Sequence, residues 1–348
     1  MGRSVRFCPV AWFVLIADGC ATHSAVGPDA GSFDSPGNPG DGDADGGHRL
    51  EPWPSAACAA SSGGAYEVGS RGGTLTHGGR ERTFLVRVPP GARAGEPLPV
   101  VVVLHGGFGS GAGIASTSGF DDLADREGFV AVFPDGTGAI RTWNGGVCCG
   151  SAVRENVDDV GFLVALVEHL GETLCLDRRR VYATGISNGG FLAHRVGCEA
   201  SHRFVAIAAV AGPEGSPRCE PTRPVGVLHI HGTRDAHAPW DGGEGCGRAG
   251  IVFPSVPDTM ERWRRRNGCS VATRRVLEQG NGRCDAYEGC APGGATVLCA
   301  VVDGGHSWPG GDPPPARSDE RCPDDGPHST TFDATAVIWS FFRDQSMP

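Results

Sequence analysis

Lysine is absent from this chain: all 30 basic side chains are arginine, set against 40 acidic ones. The absence excludes a Ser-Lys dyad, Schiff-base chemistry and a P-loop phosphate lysine, each of which needs an ε-amino group. Positive charge is in deficit overall. A formal net charge of −10 offers no basic surface to nucleic acid or to an anionic membrane, so a neutral or small partner is expected. Cys-x-x-Cys pairs are also missing, and the adjacent Cys148 and Cys149 are badly placed to chelate together, so no metal site and no cofactor is expected. The apolar run Cys8 to Ala17 is too short to span a bilayer.

That run, preceded by Arg3 and Arg6, has the form of an export signal over residues 1–20. It ends either at a small-residue cleavage site, Ala17-Asp18-Gly19, or as a lipoprotein signal on Cys20, whose lipidated thiol would attach the protein to a membrane. Residues 21–57 include a Gly-, Pro-, Ser- and Asp-rich tract with no base, which cannot bury enough apolar surface to fold and is read as a solvated linker. Of 14 cysteines, 12 lie beyond this region. An even number in an exported chain implies disulfides, and the cluster Cys269, Cys284, Cys290 and Cys299 is expected to pair within itself, in any of three connectivities. The expected location is extracellular or at the cell surface.

From Cys58 to about residue 345 apolar runs alternate with helical patterns, which implies one α/β domain with a mostly parallel sheet and helices on both faces. Strands are expected at Thr83 to Val88, Pro99 to Leu104, Gly128 to Phe133, Arg180 to Thr184, Phe204 to Val210, Val225 to Ile230 and Thr296 to Val302. Helices are expected at Val157 to Leu174, Phe191 to Cys198 and Thr335 to Phe342.

Gly185 to Gly189 (GISNG) fits G-x-S-x-G, in which a serine sits on a sharp strand-to-helix turn. In a chain with 56 glycines chance alone yields about half a match, so the motif's weight comes from its context of a strand before and a helix after. Ser187 is therefore the expected nucleophile. It needs an imidazole to take its proton and a carboxylate to hold the imidazolium, in the chain order Ser, Asp, His. Asp235, in HGTRDAH, and His306, in DGGHSWPGG, each follow a late strand, at the sheet edge where such sites assemble. Asp241 is the fallback acid, and His231 and His237 compete with His306 for the role of base. Backbone N–H groups of Asn188 and of the loop His105-Gly106-Gly107-Phe108 would meet the oxyanion, Gly107 being favoured over Phe108. Two other readings compete. Gly107 to Ala112 (GFGSGA) matches a loose dinucleotide fingerprint, and His229, His231, Asp235 and His237 resemble a metal cluster at departed spacing.

The stretches LHGGFGSG, TWNGGVCCG, VDDVGFLVALVEHL, RVYATGISNGGFLAHRVGCE, HGTRDAHAPWDGG and GGHSWPGG, in this order between Leu104 and Gly311, resemble the polyhydroxybutyrate depolymerase and feruloyl esterase family of secreted α/β-hydrolases. The resemblance implies an α/β-hydrolase fold, ester hydrolysis with Ser187, Asp235 and His306 as triad, and disulfides involving Cys148 and Cys149. Phe191 stands where the family often has methionine, and Ala238 where it commonly has a β-branched residue. Trp143, Trp240 and Trp308 flank the motifs and are candidates to clamp an aromatic acyl group. The expected substrate is a small or polysaccharide-linked ester, aromatic or short-chain. A poly(3-hydroxybutyrate)-type oligomer is the alternative, and a lipid-anchored binding protein without catalysis is the alternative of another class.

Overall fold

The computed structural model describes residues 58, 67–313 and 321–347; the expected signal, Cys20 and the whole of the expected linker lie outside them. The element order begins β1 (Gly69–His77), β2 (Arg80–Val88), β3 (Leu98–Leu104), α1 (Gly111–Ser118), α2 (Phe120–Glu127), β4 (Val130–Pro134), α3 (Gly150–Arg154) and α4 (Asp159–Gly171). It continues with β5 (Leu176–Ile186), α5 (Asn188–Glu199), β6 (Ala206–Val210), β7 (Gly226–Gly232), the short ribbon β8 (Gly243–Glu244) and β9 (Val252–Phe253), and α6 (Val256–Arg266). The last elements are β10 (Thr273–Gln279), β11 (Gly282–Tyr287), β12 (Thr296–Val301) and α7 (Ala334–Phe342).

Ten strands form one sheet in the order β1-β2-β4-β3-β5-β6-β7-β12-β11-β10. The six central strands, β4 through β12, run parallel, and antiparallel pairs complete both edges. Strand β3 is buried along its whole length, which is why its sequence is an unbroken apolar run. Its side chains still divide by parity. Val100, Val102 and Leu104 pack with α4 and α5, while Val101 and Val103 pack with α1, α2 and α7 on the opposite face. The result is the three-layer α/β-hydrolase arrangement expected from the sequence.

Element ends depart from expectation for local reasons. Strand β4 starts at Val130 because Gly128 ends α2 in the left-handed conformation (φ 77°). Helix α4 starts at Asp159 because the Asp158 carboxylate caps it, accepting from the Gly161 N–H. Strands β1, β10 and β11 were not expected. Strand β1 carries three glycines, and β10 (TRRVLEQ) lies at the sheet edge with mostly exposed charged side chains, so neither has an apolar alternation to betray it.

Twelve cysteines form six disulfides: Cys58–Cys175, Cys148–Cys149, Cys198–Cys219, Cys246–Cys322, Cys269–Cys290 and Cys284–Cys299. The last two choose one of the three connectivities open to the four-cysteine cluster. Among the described residues no helix is long and apolar enough to cross a membrane.

Candidate active site

The chain leaves β5 at Ile186 and enters α5 at Asn188, and Ser187 between them holds φ 56° and ψ −122°. A residue other than glycine held there costs about 1–3 kcal/mol, so the surroundings must fix it. Its N–H donates to Val210 O at 2.8 Å, and its own carbonyl accepts from Phe191 N at 3.0 Å. The glycines around it are demanded by sterics. A Cβ on Gly189 would lie 2.5 Å from Leu104 O and 2.6 Å from His105 O, and one on Gly185 would lie 2.7 Å from Gly189 O. Tight packing against β3 thus presents the Ser187 side chain, half-buried, at the C-terminal edge of the sheet and at the N-terminus of a helix.

Asp235 follows β7 and His306 follows β12, two neighbouring strands, and His306 Nδ1 lies 2.7 Å from Asp235 Oδ2. The other oxygen, Oδ1, accepts from the N–H groups of His237 (2.9 Å) and Ala238 (2.7 Å). Burial alone would raise the Asp235 pKa, but His306 and the hydrogen bonds from His231 and His306 outweigh it and hold the carboxyl well below its ordinary range. For His306 burial opposes protonation, yet the Asp235 carboxylate, with help from Asp325, raises its pKa above the ordinary imidazole value. Asp241 is exposed in the loop and is not the partner of His306. Ser187 is separated from this pair in the sheet by β6, and among the described residues its hydroxyl makes no hydrogen bond.

No motif or spacing in the sequence marks Asp325. Its carboxylate accepts from Ala236 N at 2.8 Å and from His306 N at 3.2 Å, and it lies 3.6 Å from His237 Nδ1. One side chain therefore staples the acid loop to the histidine loop, and the Cys246–Cys322 disulfide, three residues away, ties the same segment to the region after β7. Neither contact carries a spacing signal, which is why sequence could not find it.

The loop expected to meet the oxyanion, His105 to Phe108, offers backbone N–H groups. Phe108 N–H already donates to Arg141 O at 3.0 Å, so it is not free to meet a substrate. Neither Gly107 N–H nor Asn188 N–H, the latter at the first position of α5, is taken by a protein acceptor among the described residues, and a Cβ on Gly107 would sit 4.0 Å from Asn188 Cβ. His105 braces this loop: its Nδ1–H donates to Gly106 O (2.6 Å) and its Nε2 accepts from Gly136 N (2.9 Å). That pattern requires the neutral ring, and burial lowers its pKa accordingly.

The tryptophan expectation is corrected in two of three cases. Trp143 is fully buried: its indole N–H donates to His105 O at 2.9 Å, and its backbone N–H and C=O pair with the Asn188 side chain at 2.7 and 2.9 Å. Trp308 is fully buried too, donating to Thr335 Oγ1 at 2.8 Å and packing edge-on against Phe120. Both lack the free ring face a substrate clamp needs and hold the scaffold instead. Trp240 is half-buried, and Phe108, next to Gly107, is 60% exposed. The metal reading also loses its geometry, because His229 Nε2 and His231 Nδ1 lie 3.0 Å apart and bond to one another rather than converging on an ion. Asp235, His237 and Asp325 do bring one donor atom each within 4.8 Å, but their carboxylate oxygens are committed to the N–H groups above.

A family model described as Esterase PHB depolymerase matches residues 83–214. Over 260 residues the chain is 32% identical to "Putative esterase NocK" of Nocardia uniformis subsp. tsuyamanensis, covering 67% of this chain and 72% of that protein. It is 29% identical over 235 residues to "Feruloyl esterase B" of Piromyces equi, covering 65% of this chain but only 42% of that longer protein. A solved structure titled "Crystal Structure of a Thermostable Esterase" superposes with a TM-score of 0.51 at 13% identity, covering 80% of this chain and 63% of that one, a likeness of fold.

Proposed function

Because the chain belongs to the polyhydroxybutyrate depolymerase and feruloyl esterase family of carboxylic ester hydrolases, we propose that it is a serine esterase using Ser187, His306 and Asp235, and that its substrates are feruloyl or other small aromatic esters. The observation that carries this reading is the 2.7 Å contact between Asp235 Oδ2 and His306 Nδ1 at the sheet edge that also presents Ser187. A histidine whose Nδ1–H is held by a buried carboxylate has Nε2 free as base. His306 takes the Ser187 proton as Oγ attacks the ester carbonyl, and Asp235 stabilises the imidazolium that forms. Negative charge develops on the former carbonyl oxygen, where Gly107 N–H and Asn188 N–H are the donors at hand. Collapse expels the alcohol with the proton returned from His306, and water then repeats the sequence on the acyl-enzyme. The open Ser187 hydroxyl fits a resting site, since catalytic hydrogen bonds often tighten only once substrate is bound.

The aromatic preference rests on relatives named feruloyl esterase, at 26–29% identity, and on the exposed ring of Phe108 with half-buried Trp240 as acyl contacts. Six disulfides suit an oxidising compartment, and we read the chain as exported, with a catalytic domain over residues 58–345 and membrane attachment where Cys20 is lipidated. The test is kcat/KM on methyl ferulate and on a soluble 3-hydroxybutyrate oligomer, with Ser187→Ala as control. Preference for methyl ferulate, with at least ~1000-fold loss in Ser187→Ala, is expected. Hydrolysis surviving Ser187→Ala would overturn the mechanism, and preference for the oligomer would overturn the substrate assignment alone.

A further inference from the structure

A file of buried rings runs through the core to the back of Asp235. Trp263, on α6, is fully buried and its Nε1–H lies 2.9 Å from His194 Nδ1, on α5. His194 Nε2 lies 3.1 Å from His229 Nδ1, and His229 Nε2 lies 3.0 Å from His231 Nδ1, both on β7. His231 Nε2 ends the file, 2.7 Å from Ala238 O and 3.3 Å from Asp235 Oδ2. All three imidazoles are at most 1% exposed, and neighbouring rings stack with centroids 5.2–5.3 Å apart.

The chemistry of the ends fixes the direction of every link. An indole nitrogen can only donate, so His194 Nδ1 must accept, and its proton must sit on Nε2. His229 Nδ1 then accepts and its Nε2 carries the proton, and the same follows for His231. The last N–H faces two acceptors, a carbonyl and a carboxylate. Polarity is therefore consistent from indole to acid, with each ring neutral and in one tautomer.

We propose that Trp263, His194, His229 and His231 form a one-way hydrogen-bond relay that positions Asp235 for its partner His306. The proposal rests on the triad reading above. The relay ends where the acid is held: His231 fixes Ala238 through its carbonyl, and Ala238 N–H donates to Asp235 Oδ1 at 2.7 Å. The His231 Nε2–H is also a donor 3.3 Å from Oδ2, the oxygen that His306 Nδ1 holds at 2.7 Å. Burial, with Arg262 and Arg266 near α5, lowers the His194 pKa to about 3, and burial beside the other two rings sends His229 well below the ordinary value. Each ring accepts on Nδ1 and donates on Nε2, so none carries a second proton and the role of the relay is orientation.

The test combines spectroscopy with kinetics on the intact chain. Nitrogen-15 histidine spectra at neutral pH should show the three rings as neutral Nε2–H tautomers. A protonated ring or an Nδ1–H tautomer at any of the three would overturn the relay. With p-nitrophenyl acetate, His231→Leu should lower kcat about 10- to 100-fold with KM within about twofold, because a small misplacement of the acid costs the chemical step. His231→Gln, which keeps an N–H near the Nε2 position, should recover most of that loss. Trp263→Phe should release the His194 tautomer and lower kcat in the same direction. Wild-type kcat in His231→Leu, with Asp235→Ala inactive, overturns the proposal alone. Full activity in Asp235→Ala overturns the triad reading and the proposal together.

Discussion

Replacing Asp159 by alanine should show how strongly a buried ion pair holds the segment that braces the His105–Phe108 loop. Asp159 is fully buried at the start of α4, and its Oδ1 accepts from Arg82 Nη2 at 2.7 Å, a guanidinium only 2% exposed. Its Oδ2 accepts from Asn144 N at 2.7 Å. Asn144 adjoins Trp143, whose backbone is clamped by the Asn188 side chain and whose indole braces His105. Breaking a buried ion pair by removing one partner costs about 3–5 kcal/mol, and an orphaned buried N–H adds about 1–3 kcal/mol. Arg82 keeps its bond to Asp135 O at 3.3 Å and its seat 3.9 Å from the Phe162 ring, which favours a total near the lower end, about 4 kcal/mol. At slightly under about 2 °C per kcal/mol for a domain of this size, Tm should fall by about 7 °C. The assay is thermal melting with disulfides intact, beside Asp159→Asn, which keeps an acceptor for Asn144, and the double variant Arg82→Met with Asp159→Leu. Asp159→Asn should fall between wild type and alanine, and the double variant should lose less than Asp159→Ala because no buried charge is stranded. A drop under about 3 °C, or a double variant no better than the single, would refute the account.

The remaining expectations concern pH. In the proposed mechanism His306 must be neutral to accept the serine proton, and its pKa lies above the ordinary value, so kcat/KM should be full on the alkaline side and fall as pH drops through that raised value. An acid limb centred at or below about 6.5 would refute the assignment. Asp325→Asn removes one of the negative charges that raise it, so the limb should move to lower pH, and loosened hydrogen bonds to Ala236 and His306 should lower kcat about tenfold. A limb that stays in place, read from a pH series on the same ester, would show that Asp325 does not act on His306 by charge.

Legibility followed burial and local chemistry. The parallel core could be read because strands such as β3 are apolar throughout, and the strand-to-helix turn at Ser187 because Gly185 and Gly189 have no room for a Cβ. Strand β10 could not be read, since an edge strand with exposed arginines leaves no alternation. The tryptophans misled for a related reason: indole area beside a motif signals burial as readily as recognition, and Trp143 and Trp308 spend their N–H groups on His105 and Thr335.

The histidines of the H-I-H sequence show a different limit. Alternation along a strand predicts that His229 and His231 share a face, and they do, 3.0 Å apart between ring nitrogens. What alternation cannot supply is the third element that decides their chemistry. Had a carboxylate or a cysteine occupied the place of Trp263, the same pair could have been drawn toward a metal or a proton store. An indole fixes the opposite outcome, because a group that only donates forces every ring behind it to accept on Nδ1 and donate on Nε2. The direction of the relay, and so its end on the acid rather than on an ion, is set by Trp263, 32 residues after His231 in sequence and three rings away in space.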